Sequence, residues 1–330
     1  MIQPATVIER LCHQAAQAAG ADSAAAAALA EAIVHAEQRR RTAVGVSHFF
    51  DYLAALDAGA INGSAVPKIS VRGGVIHCDA DRGIPHTGFL QAFDRILEVA
   101  ANQGCAVFMQ SSSFTCSELG FFTDRLAGAG LISMAAANSP ALMAVGPGKR
   151  RVLGTNPMSF AAPTGRPYPF LVDQASSETA FVAVREAAAA GRDIPPGWAI
   201  DTHGEPTTDP NAAVGGSLLP YGGHKGANMA LIAEVLAALA GGLWSVDAPS
   251  FTEGDRSPEV GMTLFVVDPV FAAPGFPQRL GAHLDRLSED YQLRIPGRRT
   301  DNEEPALDID DAVYEKLQAA ANNYTSRKLV

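Results

Sequence analysis

Three turn-rich segments between residues 154 and 226 carry side chains suited to holding an anion. The first runs Gly154-Thr155-Asn156-Pro157 and continues through Phe160-Ala161-Ala162-Pro163. The second is Asp173-Gln174-Ala175-Ser176-Ser177, and the third is Gly222-Gly223-His224-Lys225-Gly226. Glycine and small hydroxyl residues let a bulky ligand approach the backbone N–H groups closely. Lys225 adds a point charge among glycines, which suits a pyrophosphate. The alternative for each glycine is that it only shapes a turn. The common dinucleotide fingerprint, G-x-G-x-x-G between a strand and a helix, is absent. Its nearest match, Gly128-Ala129-Gly130-Leu131-Ile132-Ser133, lacks the third glycine and runs from helix to strand, so it reads as a helix C-cap. Gly146-Pro147-Gly148-Lys149 is no Walker A loop.

Other chemistries find less support. The histidines lack metal-ligand spacing, so no metal is expected. Cys12, Cys78, Cys105 and Cys116 are scattered with no C-x-x-C pair, which predicts reduced thiols and a cytoplasmic protein. Cys116 has no adjacent base to make it a nucleophile. The balance of 25 Lys+Arg against 35 Asp+Glu gives a net charge of −10 and argues against nucleic acid or anionic lipid as partners. Arg39-Arg40-Arg41, the densest basic cluster, reads as a complement to a helix C-terminal dipole. The first residues lack a basic stretch followed by an apolar one. No segment approaches the roughly 18 uncharged apolar residues of a membrane span.

The elements that must position these groups alternate. Residues 4–41 read as two helices, with Asp22 or Ser23 capping the second, and 49–58 as a third. Strands are expected at 75–78, 105–109, 131–137, 158–162, 169–172 and 261–267. Helices are expected at 87–101, 120–127, 179–190, 227–239, 276–289 and 310–322. Residues 191–223, rich in Gly and Pro, read as a long stretch without regular structure, of the kind that serves as a lid. With 330 residues and 47% apolar composition, the chain can bury a large core. Helices first and strands interleaved later predict an α/β sheet domain packed with a helical domain.

Several of these segments, in order, resemble the malate/L-lactate dehydrogenase family of non-Rossmann, NAD(P)-dependent oxidoreductases. They are Ala137-Asn138-Ser139-Pro140, Gly154-Thr155-Asn156-Pro157, Ala161-Ala162-Pro163, Asp173 through Ser177, Pro195-Pro196-Gly197-Trp198, Pro206-Thr207-Thr208-Asp209-Pro210, Leu219-Pro220, Gly222-Gly223-His224-Lys225-Gly226 and Ile295-Pro296-Gly297. The resemblance spans nearly the whole chain. It implies a homodimer, NADPH or NADH as cofactor, a small-molecule substrate, and an NAD(P)-binding sheet domain of the family's own type. The expected division is a helical domain over 1–74, rejoined by 290–330, and a cofactor domain over 75–289. Carried over by position, Ser139, Thr155 and Asn156 line the cofactor and active-site cleft. Asp173, Ala175 and Ser176 border the cofactor. His224 belongs to the cofactor loop, Lys225 meets phosphate or ribose, and Arg298 lies in a C-terminal loop that closes over it.

The chain departs from that pattern where the chemistry happens. Hydroxyacid-oxidising members carry Ser-His-Gly followed by Arg near residue 40. Aligned without gaps on Tyr52, Val44 takes the histidine place and His48 the arginine place; aligned on Ser47-His48, the pair survives with four residues deleted. A second family histidine aligns with Thr115. Oxidising an alcohol needs a base with a pKa near neutrality, which valine and threonine cannot supply. A cyclic imine is basic enough to enter already protonated, so its reduction needs no strong acid in the same step. The loss fits the branch of the family that reduces Δ1-piperideine-2-carboxylate and Δ1-pyrroline-2-carboxylate.

The candidate catalytic groups are therefore His48, Ser47 and Thr115. His48 orients a substrate carboxylate or acts as acid/base, with a helix-surface residue as the alternative. Ser47 hydrogen-bonds substrate, and Thr115 holds the imine or a water. Asp51 is expected to be solvated, Glu118 to cap the helix beginning near Gly120, and His86 either to face the cleft or to sit apart from it. Three functions remain open: a cyclic imino acid reductase, a 2-hydroxyacid or 2-ketoacid dehydrogenase using His48 as base, and a catalytically silent cofactor-binding homologue.

Overall fold

The computed structural model describes residues 1–298 and 306–328, without the side chains beyond 323. Parts of the expected 290–330 return segment, residues 299–305 and 329–330, lie outside the described residues. The chain begins with a short strand β1 (Ile2–Gln3) and three helices, α1 (Ala5–Ala18), α2 (Ser23–Gln38) and α3 (Val46–Asp57). Asp22 caps α2 by accepting from the Ala25 N–H at 2.8 Å, as its type predicts. The cap position of α3 is Gly45, which has no side chain to offer. Glu37 on α2 accepts the Val46 N–H instead, at 2.7 Å. Burial, only partly offset by that bond, pushes the Glu37 carboxyl up to about 7.

Then follow β2 (Lys68–Arg72), β3 (Val75–Asp79), α4 (Pro85–Gln103), β4 (Cys105–Ser113), α5 (Gly120–Gly128), β5 (Ile132–Ala137), β6 (Met158–Ala162), β7 (Phe170–Gln174) and α6 (Phe181–Ala189). β2 pairs with β3 inside the main sheet, ahead of the expected boundary at 74. Residues 191–223 are not structureless. They form β8 (Ala199–Ile200), β9 (Pro206–Thr207), α7 (Pro210–Gly215, capped by Asp209) and β10 (Ser217–Leu218). The three strands make a small sheet in the order β10-β8-β9. Two-residue strands are too short for a period-2 pattern to register, and they are held by a local core of Ile194, Ala199, Ala213 and Leu218. The chain closes with α8 (His224–Leu239), β11 (Val260–Val267), α9 (Pro269–Ala272), α10 (Phe276–Tyr291), β12 (Leu307–Asp308) and α11 (Asp311–Lys328).

The main sheet has seven strands in the order β2-β3-β4-β11-β5-β6-β7. Only β3–β4 is parallel, joined by the crossover helix α4. Because β4 and β5 both pair antiparallel with β11, and β7 returns through β6, strands β4, β5 and β7 run the same way. Their C-terminal ends therefore emerge at one edge of the sheet. Side chains alternate faces along β11. Met262, Leu264 and Val266 join the core beneath α4 and α5. Thr263 faces the other way and bonds the Leu236 carbonyl of α8 at 2.8 Å.

A separate core of Ile8, Leu29, Ile33, Phe49, Tyr52 and Leu317 joins α1, α2, α3 and α11. The β1–β12 pair ties the N-terminus to the returning chain. Helix α2 belongs to both cores: Leu29 and Ile33 pack in the helical one, Ala32 against the sheet. Its C-terminal end lies at the junction.

Candidate active site

A cleft of about 550 Å³ opens at that junction. One wall is the helical module, through Arg41, Ala43, Val44 and His48. The other is the row of strand ends after β4, β5 and β7, reaching Phe181 and Val182 of α6, with Phe251 from the loop before β11.

His48 sits in the first turn of α3 and is buried. Its Nδ1 pairs with Asp51 Oδ2 at 2.8 Å, and Nε2 has no protein partner among the described residues. Arg185 of α6 grips the same carboxylate, with Nη1 to Oδ1 at 3.0 Å. Burial works to raise the Asp51 pKa, but the bonds from His48 and Arg185 outweigh it and hold the carboxyl below its ordinary range. Asp51 is thus a fixed partner of His48 rather than a solvated surface residue. Helical spacing of three residues put the two on one face, and Arg185 from a distant helix covers the carboxylate. The His48 ring packs edge-on to Tyr52 and to Phe251, at 5.2 and 5.8 Å. Tyr52 steadies the facing loop, donating to the Thr115 carbonyl at 2.6 Å and accepting from the Ser117 N–H at 2.8 Å. Thr115 lines the cleft, and its Oγ1 is buried without a hydrogen-bond partner.

Of the expected cofactor residues, Ser139, Thr155, Asp173 and Ala175 line the cleft. Ser139 Oγ accepts the Thr155 N–H at 3.1 Å. Gly154 permits that approach, since a Cβ there would lie 2.2 Å from the Ser139 carbonyl oxygen. Asn156 and Ser176 stand behind the lining. Asn156 is fully buried and fastens the loop to α8 through the Ala230 carbonyl and Glu234, at 3.0 and 2.7 Å. Ser176 Oγ donates to the Asn156 carbonyl at 2.7 Å. His224 and Lys225 are exposed in the first turn of α8 and do not line the cleft. Their loop adjoins it: Tyr221 is a lining residue, and a Cβ on Gly226 would meet the Tyr221 and Ser176 carbonyls at 2.4 and 2.8 Å. Lys225 has no carboxylate partner among the described residues. A lysine in the first turn of a helix, beside the positive end of its dipole, can take a phosphate. The small-residue cleft beside that terminus is chemically suited to an elongated, anionic coenzyme. Ser47 is half-buried in α3 outside the lining. Arg298 stacks over Tyr168 and lies 3.9 Å from Asp285 on α10, away from the cleft.

Two further expectations are corrected, and the open position of His86 is decided. Glu118 does not cap α5; the cap comes from Asp173, whose Oδ2 accepts the Gly120 N–H at 3.0 Å. Glu118 is buried in the cleft wall and pairs with His35 and Arg41. Arg41 does not serve a helix dipole, because its guanidinium reaches across the cleft to the Asp173 carbonyl at 2.7 Å. His86 does not face the cleft: it stacks on Phe122, with burial, then the charge of His35, pushing its pKa down to about 3. Burial likewise pushes the Cys116 thiol up to about 12, which leaves it no thiolate near neutrality. Arg41, Phe181 and Phe251 are among the lining residues that sequence reasoning missed. Arg41 had a weak signal as a cation just past a helix end; the two aromatics had none.

Comparison with known proteins agrees with this architecture. The profile of the family described as malate/L-lactate dehydrogenase matches residues 4–318. A (2R)-3-sulfolactate dehydrogenase (NADP(+)) of Chromohalobacter salexigens is 34% identical over 319 residues, 95% of this chain and 96% of the relative. A Δ1-pyrroline-2-carboxylate/Δ1-piperideine-2-carboxylate reductase of Pseudomonas putida is 32% identical over 302 residues, 90% and 88% of the two chains. The crystal structure of Δ1-piperideine-2-carboxylate reductase from Pseudomonas syringae pvar. tomato superposes with a TM-score of 0.89 at 29% identity, covering 97% and 99%. The chain belongs to the malate/L-lactate dehydrogenase family of NAD(P)-dependent oxidoreductases.

Proposed function

We propose that the protein reduces a cyclic imino acid, Δ1-pyrroline-2-carboxylate or Δ1-piperideine-2-carboxylate, to L-proline or L-pipecolate. One observation carries this reading over the other chemistries of the family. Among the described residues, Arg41 and His48 are the only lining side chains of a basic type, and Arg41 is engaged by Glu118 and Asp173. A substrate with two anionic groups, such as sulfolactate or malate, would leave one of them without a counter-charge, which is costly in a buried site. A substrate with one carboxylate and an apolar remainder matches His48 beside Leu142, Phe181, Val182 and Phe251.

In this reading the NADPH or NADH that binds along Ser139, Thr155, Asp173 and Ala175, with Lys225 at its phosphates, supplies a hydride. His48, held by Asp51, pairs through Nε2 with the substrate carboxylate. The unpartnered Thr115 Oγ1 hydrogen-bonds the imine nitrogen or a water beside it. The apolar end receives the ring methylenes.

Purified protein mixed with either ketimine and reduced coenzyme is expected to consume the coenzyme's absorbance at a rate proportional to enzyme. Consumption with a 2-ketoacid and none with either ketimine would overturn the substrate. That outcome defines the second reading, a 2-hydroxyacid dehydrogenase. It is favoured by the same His48–Asp51 pair, which leaves Nε2 free to act as a base.

The homodimer is also proposed, on the outer face of α8. Leu231, Ile232, Val235 and Leu239 are 48–62% exposed there, with Trp244 and Val246 just beyond. Contiguous apolar surface of this kind marks a contact site, and a second copy is the occupant proposed. No helix among the described residues is long and apolar enough to cross a membrane. Four free cysteines fit a reducing cytoplasm.

A further inference from the structure

A chain of titratable groups runs outward from the cleft wall, beginning at the lining residues Asp173 and Glu118. Asp173 and Glu118 face each other across Gly120. Their Oδ2 and Oε2 atoms lie 3.2 and 3.4 Å from where a Gly120 Cβ would sit. Both carboxylates share one guanidinium: Arg41 Nη1 is 3.7 Å from Asp173 Oδ2, and Nε is 3.4 Å from Glu118 Oε2. Neither distance is that of a strong ion pair, and Glu118 Oε2 is buried with no hydrogen bond. Two carboxylates so placed, sharing one charge, favour holding a proton between them. Burial, then the charge of Glu118, raises Asp173 to about 6 against the opposing pull of Arg41.

The other oxygen of Glu118 pairs with Nδ1 of His35 on α2. The opposite ring nitrogen, Nε2, lies 2.8 Å from Asp124 Oδ2 on α5. The Asp124 side chain is 21% exposed, against 1% for Glu118. The hydrogen-bonded series therefore runs from the cleft wall to solvent on the α2–α5 face. Arg39 completes it: its Nε lies 3.2 Å from His35 Nε2 and its Nη2 pairs with Asp124. When the ring carries its proton on Nδ1, Arg39 can donate to Nε2. When Nε2 is protonated, Asp124 accepts. Nε2 of the ring thus has a partner in either neutral tautomer. His86, stacked on Phe122 and edge-on to Phe121, is the remaining titratable ring facing this group, and it stays neutral. Burial presses the His35 pKa down, but the bonds to Asp124 and Glu118 outweigh it and raise it above 6.5.

We infer that His35 is a positioning residue that carries protons between Asp124 at the surface and the Glu118–Asp173 pair in the cleft wall, recharging that pair after each turnover. The inference rests on the imine-reducing reading. An imine that reaches the site unprotonated takes the carboxyl proton at its nitrogen, and the iminium so formed takes the hydride at carbon. The carboxylate left behind draws the proton from Nδ1 of the neutral ring while Nε2 takes one that solvent delivers through Asp124, and the ring then returns to its Nδ1–H tautomer. One proton and one hydride are consumed per amine formed. The same anionic wall stabilises the iminium and would oppose the developing alkoxide of a hydroxyacid.

The test uses His35→Gln and Asp124→Asn in the full chain. With a ketimine, kcat is expected to fall at least about tenfold, while KM for substrate and coenzyme stays within about twofold. The solvent deuterium effect on kcat should grow, and imidazole should restore His35→Ala. In coenzyme-free protein, infrared titration should find a protonated-carboxyl C=O stretch that disappears near pH 6, is absent in Asp173→Asn, and titrates at a different pH in His35→Gln. Unchanged kcat and isotope effect in both folded variants, or a deficit that imidazole leaves in place, overturns the relay. If His35→Gln does not fold, Asp124→Asn decides. Wild-type protein that ignores ketimines but turns over a hydroxyacid overturns the substrate reading alone. The same variants, infrared titration and imidazole rescue then judge the relay, with the proton moving outward.

Discussion

Replacing Asp173 by Asn should make the protein more stable at alkaline pH and nearly indifferent at acid pH. The carboxyl is buried in the cleft wall and titrates at about 6 instead of 3.8. The sign follows from linkage. A carboxyl raised in the native state contributes stability that is complete below 3.8 and is lost as pH rises through about 6. At pH 8 the native protein therefore carries the full cost of ionising a buried group. The interval of 6 − 3.8, about two pH decades at about 1.4 kcal/mol each, makes that cost about 3 kcal/mol. Asparagine removes the charge and keeps an oxygen for the Gly120 N–H. Arg41 is not orphaned, because Glu118 stays beside it and the carbonyl of residue 173 still accepts from its Nη2. The Arg41 attraction is already contained in that value, and about 3 kcal/mol is an upper limit because the buried amide N–H groups of asparagine need partners of their own. Urea unfolding of both proteins at pH 8 and pH 4.5 reads the difference. The expected result is a gain of about 1–3 kcal/mol at pH 8 that falls to about a third of that value at pH 4.5. A variant less stable than the parent at pH 8, or a difference independent of pH, would refute the buried-charge argument.

Three other outcomes are expected. Lys225→Ala should raise the coenzyme KM about tenfold, the value of one charged hydrogen bond, leave kcat unchanged, and weaken the salt dependence of KM; initial rates at low and high salt measure it. Asp51→Asn should lower kcat/KM at least about tenfold, because the fixed partner of His48 Nδ1 is lost, and it should alter the pH–rate profile where a purely structural defect would only scale it. Val235→Asp places a charge in the exposed α8 face and should convert a dimer to monomer in sedimentation equilibrium, whereas a parent protein that is itself monomeric ends the dimer proposal.

Much of the architecture was legible along the chain because its signals are local. Asp22 before an alanine-rich run marks the start of α2, and the apolar run ahead of Asn138 marks β5. The small-residue segments with Lys225 identified the family, since a loop that must let a ligand or another backbone come close needs Gly, Ala or Ser at fixed places. Gly154 and Gly226, where a Cβ would strike carbonyl oxygens, are two such places. Two-residue strands such as β8 and β10 escaped notice because their pairing comes from distant residues rather than from their own pattern.

What the sequence determined by itself is the order of most of the longer elements and several of the segments that bound the cleft. Only the tertiary structure decided which charges meet. Arg41 reaches Asp173 across 132 residues of sequence, and His35 reaches Glu118 across 83. Asp51 is withdrawn from water by Arg185, 134 residues away. A carboxyl's pKa and a side chain's partners depend on burial and on the nearest charges in space, and those are set by how the helical module closes on the strand ends. Spacing along a chain carries no record of that closure.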